Sequence, residues 1–321
     1  MTGPPSVNQW QVLPTLEISD TLFPMKESYK QNFIRAGAIA KEVRAFGKTL
    51  IQKGASYNGV IEQIQQKIVD LGAIAAFPPQ IAFNEVAAHF LPQPEEDLLF
   101  SDQLVKLDVG VCFNGAIGDC AVSIDLSGRH QHIIDAAEAA LLNAEKIIKV
   151  GLPLREIGKV VETTILSFGL QPIRNLCGHG LGFYRVHTPP LIPNYEDRSK
   201  GVVQPGMTFA IEPFATSGKG LIHEGGTATI FSFVKEKPLT SSLERSLVDK
   251  IQTFKGLPFS IHDLLKVSEN PAQTKEAIQA LRDAGVITGY PPLIEETKGW
   301  VAQAENSILV DAAGKVFVTT R

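Results

Sequence analysis

The stretch LVKLDVGVCFNGAIGDCAVSIDL, residues 104–126, decides how this chain folds and what it can hold. Asn114-Gly115 sits between two β-rich runs, a strong signal for a two-residue hairpin. With those residues at the turn, position 108 faces position 121, and position 119 lies two places along the returning strand. Alternate side chains of a strand share a face. Asp108 and Asp119 therefore become diagonal neighbours, with Cβ atoms about 7 Å apart. The two acids lie among Leu107, Val109, Val111 and Ala121, which argues for burial rather than for an exposed edge strand. An unpaired buried carboxylate is costly. Two that converge from this separation can span a pair of metal ions about 3.5–4 Å apart.

Three further residues extend the pattern. His179 lies in NLCGHGLG, where glycines on both sides remove side-chain bulk and let backbone and substrate approach the imidazole. Glu212 lies in MTFAIEPFA and Glu305 in WVAQAENSILV, both read as apolar strands in which a carboxylate needs a partner. Each alone is a weak signal, since a lone histidine is more often a structural hydrogen-bonder. Together, four carboxylates balance two divalent cations, and oxygen-rich ligation with a single imidazole suits Co, Mn, Fe or Zn.

The rest of the chain supplies a scaffold. Residues 1–25 carry Pro4, Pro5, Pro14 and Pro24 and read as an irregular arm. Ile39, Val43, Phe46 and Leu50 repeat at helical spacing within a helix over about 26–53, stopped by Gly54. Ser56 caps a second helix that carries Val60, Ile64 and Ile68. Strands follow at 73–77 and 103–126. Helices at about 130–150 and 153–168 then precede strands between 171 and 235. The order helix, helix, strands thus occurs twice, which implies two halves sharing one sheet. Residues 236–300 interrupt this scheme with helices at 241–255, 259–267 and from Asn270-Pro271 to Gly285, then the hairpin-like VITGYPPL. Strands return at 301–310 and 315–320. The 236–300 segment reads as a helical insertion within one catalytic domain spanning 1–321. In outline it also resembles a winged helix, but it carries no basic stripe for DNA.

Composition excludes other classes. The 321 residues are 44% hydrophobic and 20% charged, which suits a soluble globular protein. A net charge of −4 without a lysine-arginine run disfavours nucleic acid and anionic membranes. Three cysteines, Cys112, Cys120 and Cys177, form no CxxC and point to a reducing compartment. No signal peptide is apparent, and no apolar run reaches the roughly 18 residues that a membrane span needs. A cytoplasmic location is expected.

Read together, AFPPQIAFNEVAAHF, KLDVG, GDCAV, CGHGLGFYRVHTPP, AIEPFATSGKG, GYPPL and AQAENSILV resemble the methionine aminopeptidases of the second type. These belong to the pita-bread metallopeptidase superfamily, and the segments spread between residues 75 and 310. The insertion resembles the helical subdomain that separates the second type from the first, and the short N-terminus looks like that of archaeal members. The resemblance implies an α+β fold of the creatinase/aminopeptidase kind: two pseudo-twofold-related αβ halves around a central sheet, with a helical insertion.

The implied activity is removal of an initiator methionine before a small second residue, by water activated between two metals. By resemblance, Asp108 chelates one metal, His179 and Glu212 hold the other, and Asp119 and Glu305 bridge them. Glu212 would also carry a proton from water to the leaving amine, His187 would stabilise the tetrahedral intermediate, and His89 would contact the substrate near the scissile amide. Phe77, Val186 and Tyr290 would wall the methionine pocket. Partners implied are N-terminal Met peptides of nascent chains, with the ribosome a further candidate, and a monomeric enzyme. Cys177 departs from relatives, in which a polar residue is common. Two rivals stand beside this reading: a proline-directed aminopeptidase or dipeptidase of the same superfamily, and a non-catalytic relative that uses the fold for docking. The GYPPL insertion disfavours the first, and retention of all five ligands the second.

Overall fold

A computed structural model describes residues 26–239 and 241–321. The irregular arm read over 1–25 lies outside the described residues. Two helices open the fold, α1 (Glu27–Leu50) and α2 (Tyr57–Asp70). The Ser56 side chain accepts a bond from the Gly59 amide at 3.1 Å, the N-cap expected from sequence. The apolar face of α1, with Ile39, Ala40 and Val43, packs with Leu107, Val109 and Val111 in one buried cluster. Contact is close: a Cβ added at Gly118 would stand 2.5 Å from the Ala36 carbonyl oxygen. Only a glycine lets the helix lie directly on this strand.

The hairpin forms in the register that its turn dictates. Leu104–Phe113 and Ala116–Asp125 run antiparallel, with Asp108 opposite Ala121 and Gly110 opposite Asp119. Asn114 and Gly115 take φ of +49° and +84°, as a two-residue turn that follows strand twist requires.

The second half repeats the order. Helices α3 (Gln131–Ile147) and α4 (Leu154–Ser167) bury Ile133, Ala137, Ile157 and Val161 against Phe209, Ile211 and Ile308. Those strand residues belong to a five-stranded sheet containing Cys177–Gly182, Arg185–Pro193, Thr208–Ile211, Asn306–Val310 and Val316–Val318. The central sheet is divided: the hairpin lies in a four-stranded piece and these strands in another. Reciprocal bonds between Ala121 and Glu305, at 3.4 and 3.3 Å, stitch the two pieces together. The result is an α+β pita-bread fold of two αβ halves.

Helices α5 (Ser242–Gln252), α6 (Ile261–Leu265) and α7 (Pro271–Asp283) surround their own buried cluster, which includes Leu247, Leu264, Ile278 and Leu281. Asn270 caps α7 and Pro271 opens it.

Three local expectations are corrected. VITGYPPL is not a hairpin: Ile287–Tyr290 pairs with Ile230–Phe233, whereas Leu293–Glu295 pairs with strands on another sheet. Pro291 and Pro292 lack the N–H groups that a ladder needs, so the chain changes sheets there. The strand read over 301–310 is two strands, Val301–Gln303 and Asn306–Val310, with Glu305 in the break. The strand before Glu212 ends at Ile211, because Pro213 cannot donate to a ladder. Both glutamates therefore sit where a strand leaves one sheet for another.

Candidate metal centre

All ten residues singled out from the sequence line one cavity: Phe77, His89, Asp108, Asp119, His179, Val186, His187, Glu212, Tyr290 and Glu305. Each reaches it for a local reason. Asp108 and Asp119 project from one face of the hairpin. His179 stands at a register shift between Cys177–Gly182 and Arg185–Pro193, and such irregularities re-aim side chains beside functional sites. Its flanking glycines have a reason that spacing did not reveal. A Cβ at Gly178 would lie 2.3 Å from the Ala210 carbonyl oxygen, and one at Gly180 would lie 2.2 Å from that of Pro189. The glycines admit neighbouring backbone. Similarly, Gly110 leaves room for the Phe77 ring, which a Cβ would meet at 2.2 Å.

Asp119, His179 and Glu305 each offer one donor atom, all within 4.8 Å of one another. His179 Nε2 lies 3.9 Å from Asp119 Oδ2 and 3.5 Å from Glu212 Oε1. Among the described residues, Asp108 Oδ1 and Asp119 Oδ1 are buried with no hydrogen-bond donor. Buried carboxylate oxygens with no donor call for a cation, and oxygen with one imidazole fits a divalent transition metal. The residues present fit such ions.

The electrostatics agree. Burial pushes Asp108 up to about 7, against a pull downward from the Gln303 amide. Burial also raises Asp119 well above the carboxylate range, with Asp108 adding to the effect. Glu212 and Glu305 are raised by burial and then by the neighbouring acids. Burial lowers His179 to about 4 and His89 to about 4. His187 is an exposed residue, yet its ring, 4.2 Å from that of His179, is lowered by desolvation and then by His179 and His89. Positive charge among the acids would reverse the carboxylate shifts. The neutral imidazoles are already in the form that coordinates or donates a single N–H.

The sequence reading missed the residues that hold these groups. Ser307 Oγ accepts from the Asp119 amide at 2.8 Å and donates to its carbonyl at 2.9 Å. Arg44 on α1 donates to the Glu305 carbonyl at 3.0 Å and to Asn306 Oδ1 at 3.1 Å. Gln303 Nε2 reaches Glu305 Oε2 at 3.5 Å, and Asn194 Nδ2 donates to the Glu212 carbonyl at 3.1 Å. The one available signal was Gln303 and Ser307 flanking Glu305 at two residues on either side. Cys177 also lines the cavity, and burial, then the Glu212 charge, raises its thiol to about 12. This favours the thiol over the more nucleophilic thiolate.

A pita-bread scaffold that gathers carboxylates and an imidazole around one cavity is the framework of a metal-dependent hydrolase. The chain belongs to metallopeptidase family M24, whose model matches residues 31–237. It is 35% identical over 297 residues to a methionine aminopeptidase of Archaeoglobus fulgidus, covering 92% of this chain and 100% of that one. It is 37% identical over 297 residues to a methionine aminopeptidase of Methanocaldococcus jannaschii, covering 92% and 99%. The crystal structure of a methionine aminopeptidase from Thermotoga maritima superposes with a TM-score of 0.67 at 20% identity, covering 93% and 99%, a likeness of fold.

Proposed function

We propose that this chain is a methionine aminopeptidase that removes the N-terminal methionine from nascent proteins when the second residue is small. The observation that carries this reading is the convergence of Asp119, His179 and Glu305 donor atoms within 4.8 Å, in a cavity that Asp108 and Glu212 also line. The family and the curated relatives support the substrate class.

In this reading Asp108 would hold one ion, His179 and Glu212 would hold the other, and Asp119 and Glu305 would serve both. When bound, the two cations supply Lewis acidity toward a scissile carbonyl and toward water. Their identity is Co, Mn, Fe or Zn, since such donors accept several and availability decides. Glu212 accepts the proton of the attacking water and returns it to the leaving amine, a role supported by its place in the cavity lining. His187, kept neutral, donates its N–H to the developing oxyanion, and His89 contacts the amide side. Phe77, Val186 and Tyr290 form an apolar wall for the methionine side chain, supported by their place in the cavity lining. The substrate's free α-amino group binds on the Asp108 side, which limits cleavage to one terminal residue.

Nascent chains as substrate place the enzyme in the cytoplasm near the ribosome. Incubation of the metal-loaded protein with Met-Ala-Ser and Ala-Pro peptides tests the assignment. Release of free methionine from the first, with the second left intact, is expected. Preferential cleavage of the Ala-Pro peptide would overturn it.

A further inference from the structure

His89 stands in a left-handed backbone conformation with φ of +60°, directly after the Val86–Ala88 strand. A non-glycine residue adopts that conformation uncommonly, and such conformations cluster at functional sites. Two contacts enforce it here. The His89 ring lies against that of Tyr290, with centroids 5.7 Å apart and planes tilted by 56°. The His89 backbone N–H donates to the side-chain oxygen of Gln80 at 2.7 Å. A backbone N–H can only donate, so this bond also fixes which end of the Gln80 amide faces His89.

Gln80 is itself well placed to hold a neighbour still. It opens the Gln80–Phe83 strand, lies opposite Asp108 in register, is 7% exposed, and lines the cavity. The strand that carries Asp108 therefore anchors, through one amide, the backbone that carries His89. No reading of the sequence pointed to this residue.

We propose that Gln80 is a positioning residue for the reaction: its amide oxygen holds His89 in the left-handed conformation that presents the imidazole to the cavity. The proposal rests on the substrate-side role given to His89 above. A misplacement of the imidazole by about 1 Å is enough to lower turnover by about two orders of magnitude.

The test uses Gln80→Met, which keeps volume and removes the acceptor. Histidine-labelled, metal-free protein gives few imidazole signals, because the chain has seven histidines. His89→Ala identifies the one that belongs to residue 89. In Gln80→Met that signal is expected to move, while those of His130, His132, His223 and His262, outside the cavity lining, stay in place. In metal-loaded protein, kcat should fall about tenfold or more with KM changed less than about threefold, as for an interaction realised in the transition state. Bound metal should match wild type. An unmoved His89 signal, or wild-type kcat with a moved one, would overturn the proposal. A fall in bound metal matching the fall in kcat would also overturn it, since Gln80 would then serve the ligands. Wild-type turnover in His89→Ala would show instead that the role given to His89 has failed. If Gln80→Met does not fold, Gln80→Asn withdraws the oxygen by about one C–C bond, roughly 1.5 Å. An unmoved His89 signal in that variant contradicts the proposal equally.

Discussion

Asp108 and Glu212 show how one environment sets two chemistries. Both are raised by burial, and among the described residues neither forms an ion pair with a lysine or arginine, so each depends on a cation to stay ionised. Asp108→Asn and Glu212→Gln keep shape and remove charge. Turnover on a Met-Ala-Ser peptide should fall by about two orders of magnitude or more, with the far-ultraviolet spectrum unchanged. Near-normal rates in either variant would contradict the roles given. The histidines behave oppositely. His89 and His179 are held near 4, so the folded chain keeps them neutral at pH values where an unfolded chain would charge them. Each contributes stability that is present above the ordinary histidine value and lost as pH falls through about 4. Asp108 contributes stability that is present below the ordinary carboxylate value and lost as pH rises through about 7. Above about pH 6.5 the remaining titration of the unfolded histidines is small beside that of the four raised acids. Metal-free protein should therefore lose melting temperature between pH 6.5 and 8. A scan of metal-free samples checks this, and a rise over that window would contradict it.

At the scale of elements, the hairpin was legible from spacing, whereas its partners Glu212 and Glu305 were reached only through apolar surroundings and family resemblance. A two-residue Asn-Gly turn fixes register, register fixes which side chains share a face, and so Asp108 and Asp119 could be paired from spacing. No such rule reaches Glu212 and Glu305, which sit in breaks where strands leave one sheet for another. Apolar alternation continues through those breaks, so they read as strands. The supports are less visible still. Ser307 grips Asp119 across 188 positions of sequence, through backbone atoms that every residue has. The C-terminal segment adds to this seam. Thr320 is fully buried, accepts from the Ser307 amide at 2.9 Å and donates to Asn306 Oδ1 at 2.8 Å. Arg44 donates to the Thr320 carbonyl at 2.8 Å. Thr320→Val takes away the acceptor of the buried Ser307 amide, at about 1–3 kcal/mol, while Asn306 Oδ1 keeps its bond from Arg44. Thr320→Ser keeps the hydroxyl and loses about 1 kcal/mol of methyl burial. Urea titration should rank wild type, Ser, then Val, and equal midpoints would contradict the seam. Gly178→Ala and Gly180→Ala press a methyl onto carbonyl oxygens and should lose about 1–3 kcal/mol by the same measurement. Indifference at both positions would show that those strands can part freely.

At the scale of the molecule, two αβ halves meet along a line stitched by Ala121 and Glu305, and the acids gather there. The repeated order of helix, helix and strands revealed the halves, because helical and strand periods differ along the sequence. It did not reveal that the sheet is divided, because that division depends on contacts between distant segments. Four raised carboxylates facing one another oppose folding unless cations intervene. Chelation should lower the melting temperature, and more at pH 8 than at pH 6.5, because protons partly replace cations at the lower value. An equal shift at both pH values would argue against this coupling. The central claim is that Asp108, Asp119, His179, Glu212 and Glu305 jointly hold a metal pair. Anomalous diffraction at the manganese edge, from crystals grown with Mn(II), tests it most directly. Two peaks are expected inside the cavity, with Asp119 and Glu305 touching both. A cavity without anomalous density, in crystals that carry manganese elsewhere, would contradict the account.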